Sequence, residues 1–140
     1  MAYSGYLIKF GTSASGTTFP LKYIKAESYS CTPDQRLELN ANRAVTGKLV
    51  RQTASHTASK IEFETVYLTN KERAAIQTLL SNAYTSAAER KLNLYYYDDA
   101  TDSYKTGEFY VPDVQYKIYR VDNVKNIIYY SPVRYAFIEY

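Results

Sequence analysis

Lys60-Ile61-Glu62-Phe63-Glu64-Thr65-Val66 is the part of this 140-residue chain that indicates its fold class most clearly. Charged side chains alternate along it with apolar or uncharged ones, and this period of two predicts a β-strand. Ile61, Phe63 and Thr65 form the face expected to meet a core, while the charged residues between them face water. A strand with one wet face is typical of an antiparallel sheet.

A helix signal follows three residues after this strand. Thr69-Asn70-Lys71-Glu72 has the spacing of a capping box, in which the Thr69 side chain accepts from the Glu72 backbone and the Glu72 carboxylate reaches back to Thr69. An apolar stripe at helical spacing comes next, made of Ile76, Leu79, Leu80 and Ala83. The pattern predicts one amphipathic helix over about residues 70–84, lying across a sheet.

The segment before the strand predicts a hairpin that projects. Residues 35–39 and 48–52 alternate between polar and apolar side chains, and turn-forming residues lie at both ends of the segment 40–47 between them. We interpret residues 35–53 as a long β-hairpin. It carries few bulky apolar residues, so it is too polar to pack wholly on its own core.

The rest of the chain is rich in strand signals. A Gly/Ser/Thr-rich loop at 11–18 separates two apolar, β-prone segments, and a hairpin with an acidic tip spans 92–111. The expected strands are Tyr6–Phe10, Phe19–Ile24, Leu92–Tyr97, Lys105–Val111, Val114–Val121, Ile127–Tyr130 and Val133–Tyr140. The predicted fold is mainly β (α+β), an antiparallel β-sandwich or split barrel of about eight to nine strands with one helix. We expect residues 1–140 to form a single domain.

Composition argues against several classes of protein. The net charge of +3 is small and the 17 Lys and Arg residues are scattered singly, so we expect no sequence-specific nucleic-acid binding. No apolar run approaches the length of a membrane span, and we find no secretory signal at the start, so we expect no membrane partner and synthesis in a cytoplasm. Cys31 is the only cysteine, which rules out an internal disulfide.

Residues suited to catalysis or metal binding are scarce. His56 is the only histidine, and no oxyanion loop or nucleophile elbow accompanies it, so a surface or hydrogen-bonding role is favoured. One His and one Cys do not make a zinc site. The acidic tip, with Asp98, Asp99 and Asp102, lacks the ligand spacing of a calcium loop. We therefore predict no enzymatic activity, no metal and no cofactor.

Tyrosine is the unusual component of the sequence. Seventeen of the 140 residues are Tyr, and eleven of these lie at or after Tyr95. Tyrosine favours strands, and it also gives a large, stiff contact surface with a polar end that suits protein interfaces. A domain of this size cannot bury all seventeen, so several are expected at subunit contacts.

Five stretches carry a resemblance to a known family: Phe19–Tyr29, Tyr67–Asn70, Glu89–Leu92, Asp102–Tyr110 and Tyr135–Tyr140. Together they resemble the small tail and baseplate proteins of tailed phages and prophages of Gram-positive bacteria. The order of elements is also similar to the tail-tube fold, a β-sandwich or split barrel with one flanking helix and an extended hairpin. The resemblance implies a structural tail component of the virion, tail-tube-like or distal-tail-adaptor-like. Its implied partners are copies of itself in a ring, six-fold by analogy, and other tail or baseplate proteins.

Ten side chains are our candidates for subunit contacts. They lie in the predicted hairpin and in the tyrosine-rich second half: Arg36, Leu37, Leu39, Arg43, Leu49, Arg51, Tyr95, Tyr97, Tyr119 and Tyr129. A second hypothesis is a β-sandwich module that binds carbohydrate or peptide through exposed tyrosines. A third, an unrecognised hydrolase, has no motif in its favour.

Overall fold

Two antiparallel sheets and one helix make up the structure, a computed structural model that describes residues 3–140. The strands are β1 Ile8–Phe10, β2 Thr17–Thr18, β3 Ser30–Arg43, β4 Leu49–Glu64, β5 Leu68–Thr69, β6 Tyr84–Ser86, β7 Lys91–Asp98, β8 Ser103–Tyr110, β9 Ile118–Asp122, β10 Ile127–Tyr130 and β11 Arg134–Glu139. Helix α1 spans Asn70–Ala83, and short 3-10 helices span Leu21–Tyr23 and Ala26–Ser28. Nine of the eleven strands have three or more residues, which confirms the predicted fold class.

The larger sheet has the order β2-β1-β7-β8-β11-β4-β3, with β6 also paired to β7. The smaller sheet has the order β5-β10-β9. Since β11 lies between β8 and β4, the last strand of the chain joins the β7–β8 hairpin to the β3–β4 hairpin. The outer edges of β3 and β9 are left without a partner strand in the described part of the chain.

The core lies against one face of the larger sheet. The predicted alternation holds along β4, where Ile61 and Phe63 are buried, and along β7, where Leu92 and Leu94 are buried. These side chains form one apolar cluster with helix α1 and the segment after β2. Its other members include Ile8, Phe10, Phe19, Leu68, Ile76, Leu80, Phe109, Tyr135 and Phe137.

Helix α1 confirms the helix prediction at both ends. Thr69 is the N-cap, and the two reciprocal hydrogen bonds of the capping box are both present, from the Glu72 backbone to Thr69 and from the Thr69 backbone to the Glu72 carboxylate. Ile76 and Leu80 are buried. With 14 residues, α1 is too short to cross a bilayer, and no other helix over residues 3–140 is long and apolar enough to do so.

Three expectations about secondary structure were wrong in detail. Phe19–Ile24 is not a strand, because Pro20 has no N–H to donate to a ladder and the chain turns into a 3-10 helix at Leu21. The strand expected from Val114 begins only at Ile118, and residues 111–117 lie outside any strand. Thr17 and Thr18, expected in the loop at 11–18, form the short strand β2, because they pair with β1.

Candidate functional site

The β3–β4 hairpin confirms the predicted projecting arm. Every residue from 35 to 53, the segment called the arm below, is exposed to solvent on both faces of the hairpin. Its apolar side chains are exposed as well, including Leu37 at 67%, Leu39 at 59%, Leu49 at 44% and Val45 at the turn. From residue 35 to residue 45 the arm extends about 30 Å at ~3.3 Å per residue. The arm thus reaches well beyond the core of its own chain.

The arm is strongly cationic for its size. It contains four cations, Arg36, Arg43, Lys48 and Arg51, against the single carboxylate of Glu38. Arg51 Nε lies 2.5 Å from Glu38 Oε1, and Arg43 Nη1 donates to the Gly47 carbonyl at 2.9 Å. Both contacts are on the surface, so they orient the side chains without removing the positive charge from solvent.

A bulge in β4 lies where the arm leaves the body. Arg36 is opposite Thr57 but Glu38 is opposite Thr53, so β4 contains two extra residues at this point. Arg36 Nη1 donates to the carbonyl oxygens of Ala54 at 2.7 Å and Ser55 at 3.2 Å. The predicted contact residue Arg36 therefore satisfies backbone groups of its own chain, and its role at the arm is at least partly structural.

His56, within the same bulge, is tied to the end of the chain. Its Nε2 lies 2.7 Å from the main-chain oxygen of Tyr140. His56 is exposed, and its described contact is to a backbone atom. This arrangement is the hydrogen-bonding role that the sequence favoured for the only histidine.

A polar network on the core side of the larger sheet holds the root of the arm. Asp98 is fully buried, and its Oδ2 lies 2.7 Å from Lys105 Nζ, which also lies 3.3 Å from Asp34 Oδ2. Ser59 is buried beside them; its N–H donates to Glu139 Oε1 at 2.8 Å, and its Oγ accepts from the Asp34 N–H at 3.1 Å. These contacts join β3, β4, β7, β8 and β11 at one point and so fix the direction of the arm.

The Asp98 carboxylate is kept ionised by its partners. Burial opposes the charged form, but hydrogen bonds from Lys105 and from the Ala100 N–H outweigh it, and the net pKa of Asp98 is lowered from its usual value of 3.8. The pKa of Lys105 is raised, first by its hydrogen bond to Asp98 and then by that to Asp34. A carboxylate with a lowered folded-state pKa stabilises the protein above its unfolded-state pKa, and this contribution is lost as the pH falls through the folded-state value.

We expect Asp98→Asn to lower the free energy of unfolding by about 1–3 kcal/mol at pH 7, because Asn keeps the Ala100 hydrogen bond but loses the ionic one to Lys105. The difference between wild type and variant should shrink between about pH 5 and pH 2, as wild-type Asp98 is protonated. Urea unfolding at a series of pH values measures both effects. Asp99→Asn, an exposed neighbour, is the matched control; a difference that stayed constant down to pH 2 would contradict the ionic role of Asp98.

A cluster of tyrosine rings covers the outer face of the larger sheet, opposite the core. Its members, called the tyrosine face below, are Tyr3, Tyr6, Tyr95, Tyr97 and Tyr104. The ring centroids of Tyr6 and Tyr104 lie 4.5 Å apart, and those of Tyr95 and Tyr104 lie 5.4 Å apart. All five rings are exposed or half-buried. Two of the predicted contact residues, Tyr95 and Tyr97, belong to it.

The tyrosine face borders the acidic tip of the β7–β8 hairpin. Tyr97 OH donates to Asp102 Oδ1 at 2.5 Å, and this hydrogen bond is the first cause that raises the pKa of Tyr97 to about 12. Asp99 and Asp102 are exposed. The face therefore combines aromatic surface with an anionic rim.

The other two predicted tyrosines lie on the smaller sheet. Tyr119 is 62% exposed on β9, with its ring centroid 5.1 Å from that of Tyr67. Tyr129 is half-buried on β10, and the Arg120 guanidinium lies 5.3 Å from its ring centroid. The ten predicted residues thus fall into three separate surfaces: the arm, the tyrosine face and the smaller sheet.

Sequence reasoning missed Tyr3, Tyr6 and Tyr104 as members of the tyrosine face. Tyr104 was within reach of sequence reasoning, because the β7–β8 hairpin places it directly opposite Tyr97. Tyr6 precedes β1, which pairs with β7 across more than 80 residues of chain, and no local pattern signals that pairing.

Over residues 3–140, no group of three or more His, Cys, Asp or Glu side chains is placed to hold a metal ion. A groove of about 630 Å³ is lined by Asp113, Gln115, Tyr116, Lys117, Pro132 and Arg134. In this groove Asp113 forms an ion pair with Arg90, and Arg134 forms one with Glu62. The groove lining contains no His, Cys or Ser.

Fold and surfaces together define a β-rich protein with one helix, a long exposed arm and an aromatic sheet face. The chain belongs to a family of unknown function, DUF6711, whose model matches residues 1–140. No curated protein matches the chain. It is similar in structure to a chain from the tail of an empty GTA particle with C6 symmetry, with a TM-score of 0.53 and 10% sequence identity, over 99% of this chain and 95% of that one. At this identity the similarity is one of fold.

Proposed function

We propose that this protein is a structural subunit of a phage-type tail, which assembles with copies of itself into a ring. The observation that carries the proposal is the arm, whose residues from 35 to 53 are all exposed and include several leucines and valines. The subunit is tail-tube-like or distal-tail-adaptor-like, has no catalytic role, and resides in the virion tail. Its further partners are other tail or baseplate proteins.

The exposed apolar side chains of the arm are explained by a partner that covers them. A two-stranded hairpin alone in water is marginally stable, because few of its contacts offset the entropy of ordering the chain. Here two strands carry exposed Leu37, Leu39 and Leu49 far from their own core. Clustered exposed apolar side chains mark an interaction surface. A neighbouring subunit would cover them.

Ring assembly also accounts for the free sheet edges. The outer edges of β3 and β9 expose unpaired backbone groups, which is a hazard for a monomer but useful where neighbours pair. A closed ring needs heterologous contacts between two different patches, and this chain offers distinct ones. The similar fold in a C6-symmetric GTA tail supports a six-fold ring.

Sedimentation velocity over a range of protein concentrations, with negative-stain imaging of the same samples, tests the proposal. We expect a species of about six copies of the 16.1 kDa chain that grows with concentration and appears as a ring. The proposal would be contradicted by a protein that stayed monomeric up to about 1 mM, a concentration that populates even an association of about 4 kcal/mol, and that captured no tail protein of its own phage.

A further inference from the structure

The far end of the arm is both aliphatic and cationic. Val45 at the turn is fully exposed, Leu49 and Val50 are 44% and 59% exposed, and Arg43 and Lys48 flank them. Among the described residues, no carboxylate forms an ion pair with Lys48. The Arg43 guanidinium donates to the Gly47 carbonyl and not to a carboxylate. A surface that fits this end must offer apolar contact and negative charge together.

The tyrosine face has both properties. Five tyrosine rings lie side by side on it, and the adjoining tip 98–103 contains three aspartates and no cation. Asp98 is buried and paired with Lys105 on the core side, which leaves Asp99 and Asp102 to face solvent. Lys9 is the cation on this face, 4.2 Å above the Tyr6 ring and bonded to the Ala14 carbonyl, at the side away from the tip.

From this complementarity we propose that the end of the arm of one subunit docks on the tyrosine face of the next copy, with its cations against the acidic tip. The inference rests on the proposed ring assembly and names its two contacting surfaces. Arginine pairs well with tyrosine because its guanidinium group stacks on the ring while it bonds to carboxylates. The chain already contains such pairs, with Arg73 lying 5.3 Å from the Tyr116 centroid and 5.5 Å from that of Tyr130.

The occupant is a second copy because the arm of the same chain cannot reach. The acidic tip lies at the root of its own arm, where Lys105 bridges Asp98 and Asp34. The cationic end lies about 30 Å further out along the β3–β4 ladder. Folding back would break that ladder. The end of the arm and the tyrosine face are different patches on each copy. The contact between them therefore repeats head to tail and can close into a ring.

Charge exchange tests the contact. Arg43→Glu with Lys48→Glu reverses the arm, and Asp99→Lys with Asp102→Asn reverses the tip; Asn suits position 102, whose φ is +49°. We expect each pair alone to weaken self-association at least about tenfold, since like charges then face each other, and the four changes together to restore it. Lys71→Glu with Lys125→Glu makes the same change in net charge as the arm pair, at exposed positions outside both surfaces, and is the control for that pair.

Disulfide trapping gives a second readout. In a Cys31→Ser background, one chain carries Val45→Cys on the arm and the other carries Thr106→Cys, an exposed position on the outer face opposite Tyr95. Oxidation of the mixture should produce the mixed dimer in large excess over either homodimer. Dimers formed in the statistical ratio of random pairing would overturn the inference.

The outcomes separate this inference from the proposed function. If the wild type neither self-associates nor captures a tail protein of its phage, both fail. If it captures a tail protein but does not self-associate, this contact is wrong. If it forms rings and the reversed variants associate like the control, ring assembly stands and this contact is wrong. Binding of a glycan array that Tyr104→Ala abolishes, with self-association unchanged, would assign the face to carbohydrate and also overturn the inference.

Discussion

A variant without its arm is expected to remain folded but to lose ring formation entirely. In this variant an Asn-Gly turn replaces residues 39–52, between Glu38 and Thr53, which lie opposite each other in the ladder. Every deleted residue is exposed and none belongs to the core cluster. The free energy of unfolding should therefore change by no more than about 1 kcal/mol, while the proposed contact surface disappears.

Far-UV circular dichroism and urea unfolding measure the fold of this variant, and sedimentation velocity measures its association. Val124 supplies the control: it is 92% exposed in the turn between β9 and β10, outside the arm, and Val124→Ser should change neither property. Rings formed by the shortened protein would show that the arm is dispensable. A shortened protein that failed to fold would mean that the arm contributes to the core, contrary to its exposure.

Local signals predicted the elements whose causes are local. The capping box at Thr69 and the apolar stripe at Ile76 and Leu80 lie within one helix, so the helix was placed almost to the residue. Alternation along residues 60–66 likewise gave the correct buried face. The arm was predicted from a lack of bulky apolar residues, which is again a property of the segment itself.

Contacts between segments that are distant in the sequence could not be predicted. Asp34, Asp98 and Lys105 meet only because β3 and the β7–β8 hairpin come together across more than 60 residues, so the network at the arm root has no sequence pattern. The bulge around His56 is similar, since it depends on Arg36 bonding to carbonyl groups of the opposite strand. Which tyrosines would share one face depended in the same way on the pairing of β1 with β7.

Apolar residues alone also misled the prediction between β2 and β3. Phe19 and Ile24 are as apolar as any strand residue and both are buried, but they enter the core from a turn. The apolar side chains of a short buried segment do not show whether the segment is a strand or a turn. Pro20 was the discriminating residue, because it removes a backbone donor.

At the other end of the hairpin that forms the arm, Phe63→Ala is expected to be the most damaging single change to stability, about 3–5 kcal/mol. Phe63 is 1% exposed, and its ring lies within 6.2 Å, centroid to centroid, of four others: Phe19, Tyr29, Tyr135 and Phe137. These rings come from three separate parts of the chain, since Tyr135 and Phe137 both lie on β11. Truncation would leave a cavity bordered by stiff rings that cannot collapse into it, so the loss should approach the upper end of the range.

Leu37→Ala is the matched control, because Leu37 lies in the same hairpin but is 67% exposed. Its free energy of unfolding should stay within about 0.5 kcal/mol of wild type. Urea unfolding of both variants, each below the concentration at which wild type associates, isolates the stability of the single chain from that of the assembly.

A Phe63→Ala loss under about 1 kcal/mol would show that the larger sheet does not pack its core through this ring. A large loss for Leu37→Ala under the same conditions would show that the arm folds against the body. The pair of results therefore tests the division on which the assembly proposal depends, a core complete at one end of the hairpin and an arm free to bind a neighbour at the other.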